Sequence, residues 1–287
     1  MIVSYVNLIV QGILLGGLYA IFALGLSLSV GVMRFVNIAH GDFIVLVSFL
    51  LLVVAAALHI NVLLALLLVI PLAFAGGYLL QRILLQRVVG ENVLLPLLVT
   101  FGLSIIVQNG LLQGFGADTR TLSAGRLDTS SLHVGSLYVG VLPVATFVLA
   151  VVLVLGLEWL LYRSRIGASI RAVADDVAAA NLIGLSSARI YAIAMGIVGV
   201  TVAIAACFMG LRMNFDPTSG PSRLLVAFEV VVLGGLGSLR GTLLGGIVLG
   251  IAQTLGGQID GAWQLLAGHL VFLVIFLLRP QGLLPRY

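Results

Sequence analysis

Residues 2–33 read IVSYVNLIVQGILLGGLYAIFALGLSLSVGVM and contain no charged side chain. As one helix, these 32 residues would measure about 48 Å at 1.5 Å per residue. About 20 apolar residues are enough to cross the hydrocarbon core of a bilayer, which is roughly 30 Å thick. The second half of the run contains Gly25 and Gly31. We therefore predict that this stretch lies in a membrane and that its helix breaks near these later glycines.

The composition of the whole chain places the protein in a membrane. Hydrophobic residues make up 61% of the 287 residues, and charged residues make up only 8%. A soluble domain has about 25% charged residues, so a water-exposed surface cannot be built from this chain. The composition also excludes a disordered chain and a protein whose main role is binding nucleic acid. A fold held by disulfides is excluded because Cys207 is the single cysteine.

Eight further apolar runs approach the length of a membrane span. They are residues 43–58, 62–80, 93–112, 137–162, 190–211, 224–239, 241–257 and 262–278. The sequence thus predicts an all-α integral membrane protein, a polytopic helical bundle of about 8–9 transmembrane segments with some broken or short helices. We expect one membrane domain over residues 1–287. The run 43–58 reaches span length only when it is extended back to Asn37, which places Asn37, His40 and Asp42 in the membrane zone.

The basic residues predict the orientation of the chain, because positively charged loops remain in the cytoplasm. All 14 basic residues are arginines. Alternation through the predicted spans brings ten of them to one side: Arg34, Arg82, Arg87, Arg163, Arg165, Arg171, Arg189, Arg240, Arg279 and Arg286. The opposite loops, of which 114–136 is the longest, hold four arginines that nearby aspartates offset. We therefore expect the N-terminus outside and the C-terminus in the cytoplasm.

The sequence lacks the motifs of several enzyme classes. Without any lysine, the chain cannot form a phosphate-binding Walker A loop or a Schiff base. The four histidines are scattered, with no HExxH or CxxC spacing for a metal and no GxSxG motif. We therefore expect no metal site and no catalytic residues. An intramembrane hydrolase that pairs His269 with Asp260 remains an alternative without support from spacing.

Four polar residues in or near the predicted spans are candidates for lining a translocation pathway: Asn37, His40, Asp42 and Glu229. A charge in mid-span costs about 2.5–3.5 kcal/mol and must therefore face protein or water. Glu229 is the clearest case, although it could instead be a structural partner of an arginine or asparagine on a neighbouring helix. Asn37 to Asp42 could instead form a hydrogen-bonded turn in which Asp42 caps the second helix.

Small residues recur at the spacing of helix–helix contacts. The candidates for helix packing are Gly12, Gly16, Gly237, Gly241 and Gly245. Lipid provides no hydrophobic drive between helices, so close backbone approach must supply the packing. We expect contacts within the chain, with a subunit interface as the alternative for the later glycines.

The loop 163–189 is rich in helix-forming residues but is not a span. Asp175 is a predicted N-terminal cap, Ala178, Ala179 and Ala180 follow, and Gly184 stands where a helix C-terminal cap is expected. A short exposed helix of this kind is typical of a docking element. On physical grounds alone, it could equally lie on the lipid surface.

At this loop the chain resembles a known family. Ala178 to Gly184 is similar to the EAA-x3-G coupling loop of ABC importer permeases, with Ala178 where many members have glutamate. GLYAIFALGLSL at 17–28, NIAHGDF at 37–43, RAVA at 171–174 and LGGLGSLRGTLLGG at 233–246 resemble LivH-type permeases of branched-chain amino acid importers. The resemblance implies a permease domain whose loop 163–189 couples to an ATPase in the cytoplasm, with Arg171 and Asp175 in the coupling region.

The resemblance also implies partners and a location. They are a second permease of the LivM type, two cytoplasmic ATPases that carry ATP and magnesium, a periplasmic or lipid-anchored substrate-binding protein, and the lipid of the bacterial inner membrane. It implies no cofactor on this chain and no nucleic acid partner. The expected substrates are branched-chain or related small amino acids. The alternatives are a proton-coupled secondary transporter that uses Glu229 and an ABC permease for urea or short amides.

Overall fold

The first apolar run forms one uninterrupted helix, α1 (Ile2–Met33), in the computed structural model, which describes residues 2–90, 94–134 and 137–284. The predicted break near Gly25 and Gly31 is therefore wrong. A broken helix would leave backbone groups unsatisfied in hydrocarbon. Gly25 instead allows a close contact, because a Cβ atom there would lie 2.5 Å from Thr201 Oγ1.

Eight of the described helices are long and apolar enough to cross a membrane, which confirms the predicted polytopic α-helical fold. Besides α1 they are α2 (His40–Leu58), α3 (Val62–Ile83), α4 (Leu94–Phe115), α6 (Val141–Arg163), α9 (Ser187–Arg212), α11 (Leu239–Gly256) and α12 (Gly261–Leu278). The shorter helices are α5 (Arg126–Thr129), α7 (Arg165–Asp175), α8 (Val177–Leu182) and α10 (Gly220–Gly234). Val93, Ser136 and Arg286, which figure in the predicted boundaries and charges, lie outside the described residues.

The helix α10 is too short to cross a bilayer. Its 15 residues measure about 22 Å, and the apolar run predicted over 224–239 ends early because Gly235 and Gly237 adopt positive φ angles of 103° and 77°. A turn over 235–238 then leads directly into α11. The seventh run is thus a short helix, about three quarters of a span in length, followed by a tight turn.

The core of the bundle consists of α1 and α9, and the remaining helices surround them. In the most apolar window of each helix, 83% of α1 and 78% of α9 are buried, against 6% of α12. α1 is therefore a central helix rather than a membrane anchor, and α12 lies at the periphery.

The segment between α4 and α6 is mostly irregular. It contains α5 and a short antiparallel hairpin of β1 (Ser131–Val134) and β2 (Leu137–Gly140), the one departure from the all-α prediction among the described residues. Arg120 and Phe215 exchange backbone hydrogen bonds of 2.8 and 2.9 Å. This pairing ties the segment to the connection between α9 and α10.

Candidate functional site

The N-terminus of α2 lies inside the bundle, not at its end. His40 Nε2 contacts the carbonyl oxygen of Phe22 at 2.9 Å, and Phe22 precedes the end of α1 by eleven residues, about 16 Å along the helix. Since the partner is a carbonyl, Nε2 must carry the proton. Asn37, His40 and Asp42 are each 1% exposed. The structure thus places three of the four predicted pathway residues in the interior, at the start of a helix.

Asp42 does not cap α2. The N-cap position is Ala39, whose N–H donates to Asn37 Oδ1 at 3.1 Å. Asp42 lies one turn further on and packs against α10, because a Cβ at Gly220 would lie 1.9 Å from Asp42 Oδ1. Its carboxyl group therefore faces the N-terminus of α10, where the partial positive charge of the helix dipole favours a carboxylate. The predicted alternative of a capping Asp42 is wrong, and the cap-like contact belongs to Asn37.

A cavity of about 310 Å³ opens between α2, α3 and α9. Asn37 and His40 line it together with apolar side chains, among them Phe43, Leu72 and Val198. Cavities of this size hold small molecules. Two of the four predicted pathway residues, Asn37 and His40, thus border a space large enough for a small molecule.

Glu229, the fourth predicted pathway residue, lies apart from this cavity. It is on α10 and is 2% exposed, and its Oε1 is hydrogen-bonded to Nδ1 of His269 on α12. The structural partner of Glu229 is thus a histidine, neither the arginine nor the asparagine considered from the sequence. The hydrolase alternative paired His269 with Asp260; in the structure Asp260 caps α12 by accepting from Ala262 N at 2.9 Å.

The second candidate site is formed by the short consecutive helices α7 and α8, which are joined by Asp176 and which we call the hairpin. α7 begins with a side-chain cap, in which Ser164 Oγ accepts from Gly167 N at 2.9 Å, and α8 begins with Asp176, which accepts from Ala179 N at 3.0 Å. The predicted cap, Asp175, is instead the last residue of α7. A carboxylate can cap a helix only from the position before its first turn, which Asp176 occupies.

The hairpin ends in an exposed apolar tip. Gly184 has a φ angle of 88°, and Leu185 N donates to Ala180 O at 3.0 Å, which is the pattern of a left-handed helix C-cap. Leu182 is 89% exposed and Ile183 is 75% exposed. Two such side chains at the end of a short helix form an exposed apolar surface. Ala178 and Ala179 are exposed, whereas Ala180 is buried.

Two arginines attach the hairpin to the bundle. Arg34, just after α1, donates through Nη2 to the carbonyl oxygen of Ala174 at 2.9 Å. The Arg171 guanidinium lies 5.0 Å from the ring centre of Tyr162 at the end of α6. These contacts connect the hairpin to α1 and α6.

Four of the five predicted packing glycines lie at helix crossings within the chain. A Cβ at Gly12 would lie 2.7 Å from Ile251 Cα, and one at Gly16 would lie 2.5 Å from Ile247 Cα, both on α11. Gly241 and Gly245 face α10, where a Cβ would lie 2.1 Å from Gly234 O and 2.5 Å from Val230 O, respectively. These contacts leave no room for a second subunit at the same faces.

Gly237 is not a packing residue of a helix. It lies in the turn between α10 and α11 with a positive φ of 77°, where a residue without a side chain is favoured. The spacing of glycines in the sequence does not distinguish a turn from a helix crossing. Gly237 borders a small cavity with Arg171 and Ala174 of α7, so the turn lies against the hairpin.

Among residues 2–90, 94–134 and 137–284, no group of three His, Cys, Asp or Glu side chains could hold a metal ion. Two relevant residues were not selected from the sequence, His269 as the partner of Glu229 and Asp176 as the cap of α8. The sequence could have indicated Asp176, because an aspartate just before a run of helix-forming residues is a typical N-cap. No sequence signal links residues 229 and 269, which are 40 positions apart.

Buried polar groups between membrane helices, together with an exposed hairpin at one end of the bundle, are typical of a polytopic membrane transport protein. The chain belongs to the family of permease components of branched-chain amino acid transport systems, whose model matches residues 8–278. This finding confirms the resemblance to LivH-type permeases.

Similar proteins match over nearly the full length. The chain is 28% identical to the high-affinity branched-chain amino acid transport system permease protein BraD of Pseudomonas aeruginosa, covering 99% of this chain and 97% of that protein. It is 27% identical to the permease protein LivH of Escherichia coli, covering 96% and 94%. The ribose import permease protein RbsC of Haemophilus influenzae is 28% identical over 56% of this chain and 53% of its own length. No solved structure matches.

Proposed function

We propose that this chain is the membrane-spanning subunit of an ATP-driven importer that carries branched-chain or related small amino acids into the cell. The observation that carries this proposal is the α7–α8 hairpin in a chain of this family. The hairpin presents Leu182 and Ile183 to solvent and is attached to the core helix α1 through Arg34. A partner that binds the tip can thereby act on the helices that enclose the pathway.

The energy source lies on other chains. Without lysine, this chain has no Walker A loop to hold ATP, so ATP and magnesium are bound by two cytoplasmic ATPase subunits. A second permease of the LivM type completes the membrane part. A periplasmic or lipid-anchored binding protein delivers the substrate from outside. The predicted roles of Arg171, Asp175, Ala178, Ala179, Ala180 and Gly184 in coupling belong to this proposal.

The orientation follows from charge. Arg34, Arg171 and Arg240 all lie at the end of the bundle that carries the hairpin, where Arg240 Nε is 2.7 Å from Glu158 Oε1. The positive-inside rule makes this end cytoplasmic. The N-terminus is then outside, the C-terminus is in the cytoplasm, and the bacterial inner membrane is the location.

The alternative functions have less support. The family and the relatives named above favour neither a proton-coupled carrier nor a permease for urea or short amides. Glu229, the residue on which the proton-coupled alternative rests, is bound to His269.

Co-purification tests the proposal. When the chain is isolated from its native membrane in mild detergent, an ATPase and a second permease should accompany it in stable ratio. A chain that is isolated alone, and that nevertheless supports uptake after reconstitution alone, would contradict the proposal.

A further inference from the structure

His269 occupies an unusual place for a histidine in a membrane helix. It is the ninth of the 18 residues of α12, and its side chain is 38% exposed, whereas the side chain of its partner Glu229 is 3% exposed. A polar side chain at mid-span is costly when it faces hydrocarbon. The exposed part of His269 therefore needs water or a polar group beside it.

Polar groups continue from His269 across the bundle. Gln253 on α11 packs against Gly268, where a Cβ would lie 2.9 Å from Gln253 Nε2. Gln253 Oε1 accepts from the hydroxyl of Tyr19 on α1 at 2.5 Å. Tyr19 is in electrostatic range of Arg212 and Arg223, which lie toward the ends of α9 and α10 that are remote from the hairpin. A polar strip thus leads from the mid-span histidine to two cations.

Three buried polar atoms in or beside this strip have no hydrogen-bond partner among the described residues. They are Glu229 Oε2, Gln253 Nε2 and Arg223 Nε. Glu229 and Gln253 are 2% and 0% exposed. Unsatisfied buried groups are rare and indicate a bound water or ligand. These three polar atoms therefore favour a water-filled cleft beside His269 over a dry contact with an apolar helix.

The hydrogen bond to Glu229 fixes which ring nitrogen of His269 remains available. An ionised Glu229 can only accept a hydrogen bond, and Nδ1 of His269 then carries the proton that it donates. Nε2 is then free for a second interaction. Glu229 acts as a positioning residue that holds the ring.

We propose that a water-filled cleft reaches His269 and that a charged backbone group of the transported amino acid, its ammonium or its carboxylate group, contacts this histidine during transport. The two arginines at the outer end of the strip suit the carboxylate of such a substrate. The inference rests on the amino acid import proposed above, and it assigns the contact to His269 rather than to Glu229.

Cysteine accessibility in the whole complex tests the inference. Cys207, which is buried, is replaced by alanine, and His269→Cys is compared with Val274→Cys. Val274 is 53% exposed and lies about 140° further around α12, on the opposite flank of its exposed face. Each complex is treated with a hydrophilic thiol reagent, and labelling of this chain is followed by mass.

We expect His269→Cys to react at least about ten times faster than Val274→Cys. Saturating leucine, added together with the binding protein, should slow the reaction of His269→Cys. Any of three results would overturn the inference. They are equally slow reactions of the two variants, a fast reaction that leucine leaves unchanged, and cross-linking of residue 269 to the second permease without labelling. Where His269→Cys does not assemble, Leu265→Cys, one turn away on the same flank, is used with the same criteria. Wild-type uptake is measured in parallel, so failure of the cleft is distinguished from failure of amino acid import.

Discussion

The pair of Glu229 and His269 links the short helix α10 to the peripheral helix α12. Both groups lie between membrane helices, and only the histidine is partly exposed. A bond to a charged group contributes about 1.5–3 kcal/mol, against about 0.5–1.5 kcal/mol for a neutral bond. The charge on Glu229 therefore stabilises the contact but is not required to form it.

Replacing Glu229 by glutamine separates the ATP-driven and proton-driven mechanisms. The Glu229→Gln side chain still accepts the His269 proton, so we expect retained ATP-driven uptake with a rate within about tenfold of wild type, and a stability loss of about 1 kcal/mol. Uptake in proteoliposomes with the full complex, beside a melting curve, is the measurement. Complete loss of uptake with an unchanged melting curve would contradict a plain ATP-driven permease.

Gly184 tests the hairpin at the level of one residue. Its φ of 88° is unfavourable for a residue with a Cβ and most unfavourable for a β-branched one. Gly184→Val should abolish transport and ATPase stimulation while insertion in the membrane is retained. Gly184→Asn is the matched control, because asparagine tolerates the left-handed conformation, and it should keep most of the activity. Normal uptake by the valine variant would assign the hairpin to the lipid surface instead.

At the scale of elements, the crossing of α10 and α11 depends on direct backbone contact. A Cβ at Gly241 would lie 2.1 Å from Gly234 O, so no side chain fits without separating the helices. Since packing drives helix association in lipid, Gly241→Leu should prevent assembly or stable folding.

Gly156→Leu is the control for this prediction. Gly156 lies inside α6, and a Cβ there would meet nothing within 4 Å, so the same added volume should be tolerated. Yield of assembled complex on size-exclusion chromatography checks both variants. Equal yields would show that the backbone contact between α10 and α11 is not needed.

At the scale of the whole molecule, the asymmetric distribution of arginines predicts its orientation. The variant Asp260→Cys, at the start of α12, is made in a protein whose Cys207 is replaced by alanine. In intact cells, it should react with a membrane-impermeant thiol reagent. Leu182→Cys at the tip of the hairpin should react only after the membrane is opened. The reverse pattern would place the hairpin outside and remove the basis for ATPase coupling.

Apolar run length was a good guide to the fold, and local polar patterns were a weaker one. The run 2–33 coincides with α1 because a span is defined by hydrophobicity alone. The break expected at Gly25 is absent because glycine also permits close packing, here against Thr201 and His40, and a sequence does not distinguish the two uses. The interior location of Asn37, His40 and Asp42 followed from the length deficit of the second run. The partner of Glu229 could not be predicted, because the bond to His269 depends on how α10 and α12 pack.

We infer that ATP hydrolysis on partner subunits drives the movement of amino acids through this chain. The direct measurement is uptake of labelled leucine by proteoliposomes that contain the full complex and the binding protein, with ATP present and the proton gradient abolished by an uncoupler. We expect accumulation of leucine that requires ATP and is unaffected by the uncoupler. Accumulation that persists without ATP and collapses with the uncoupler would contradict it.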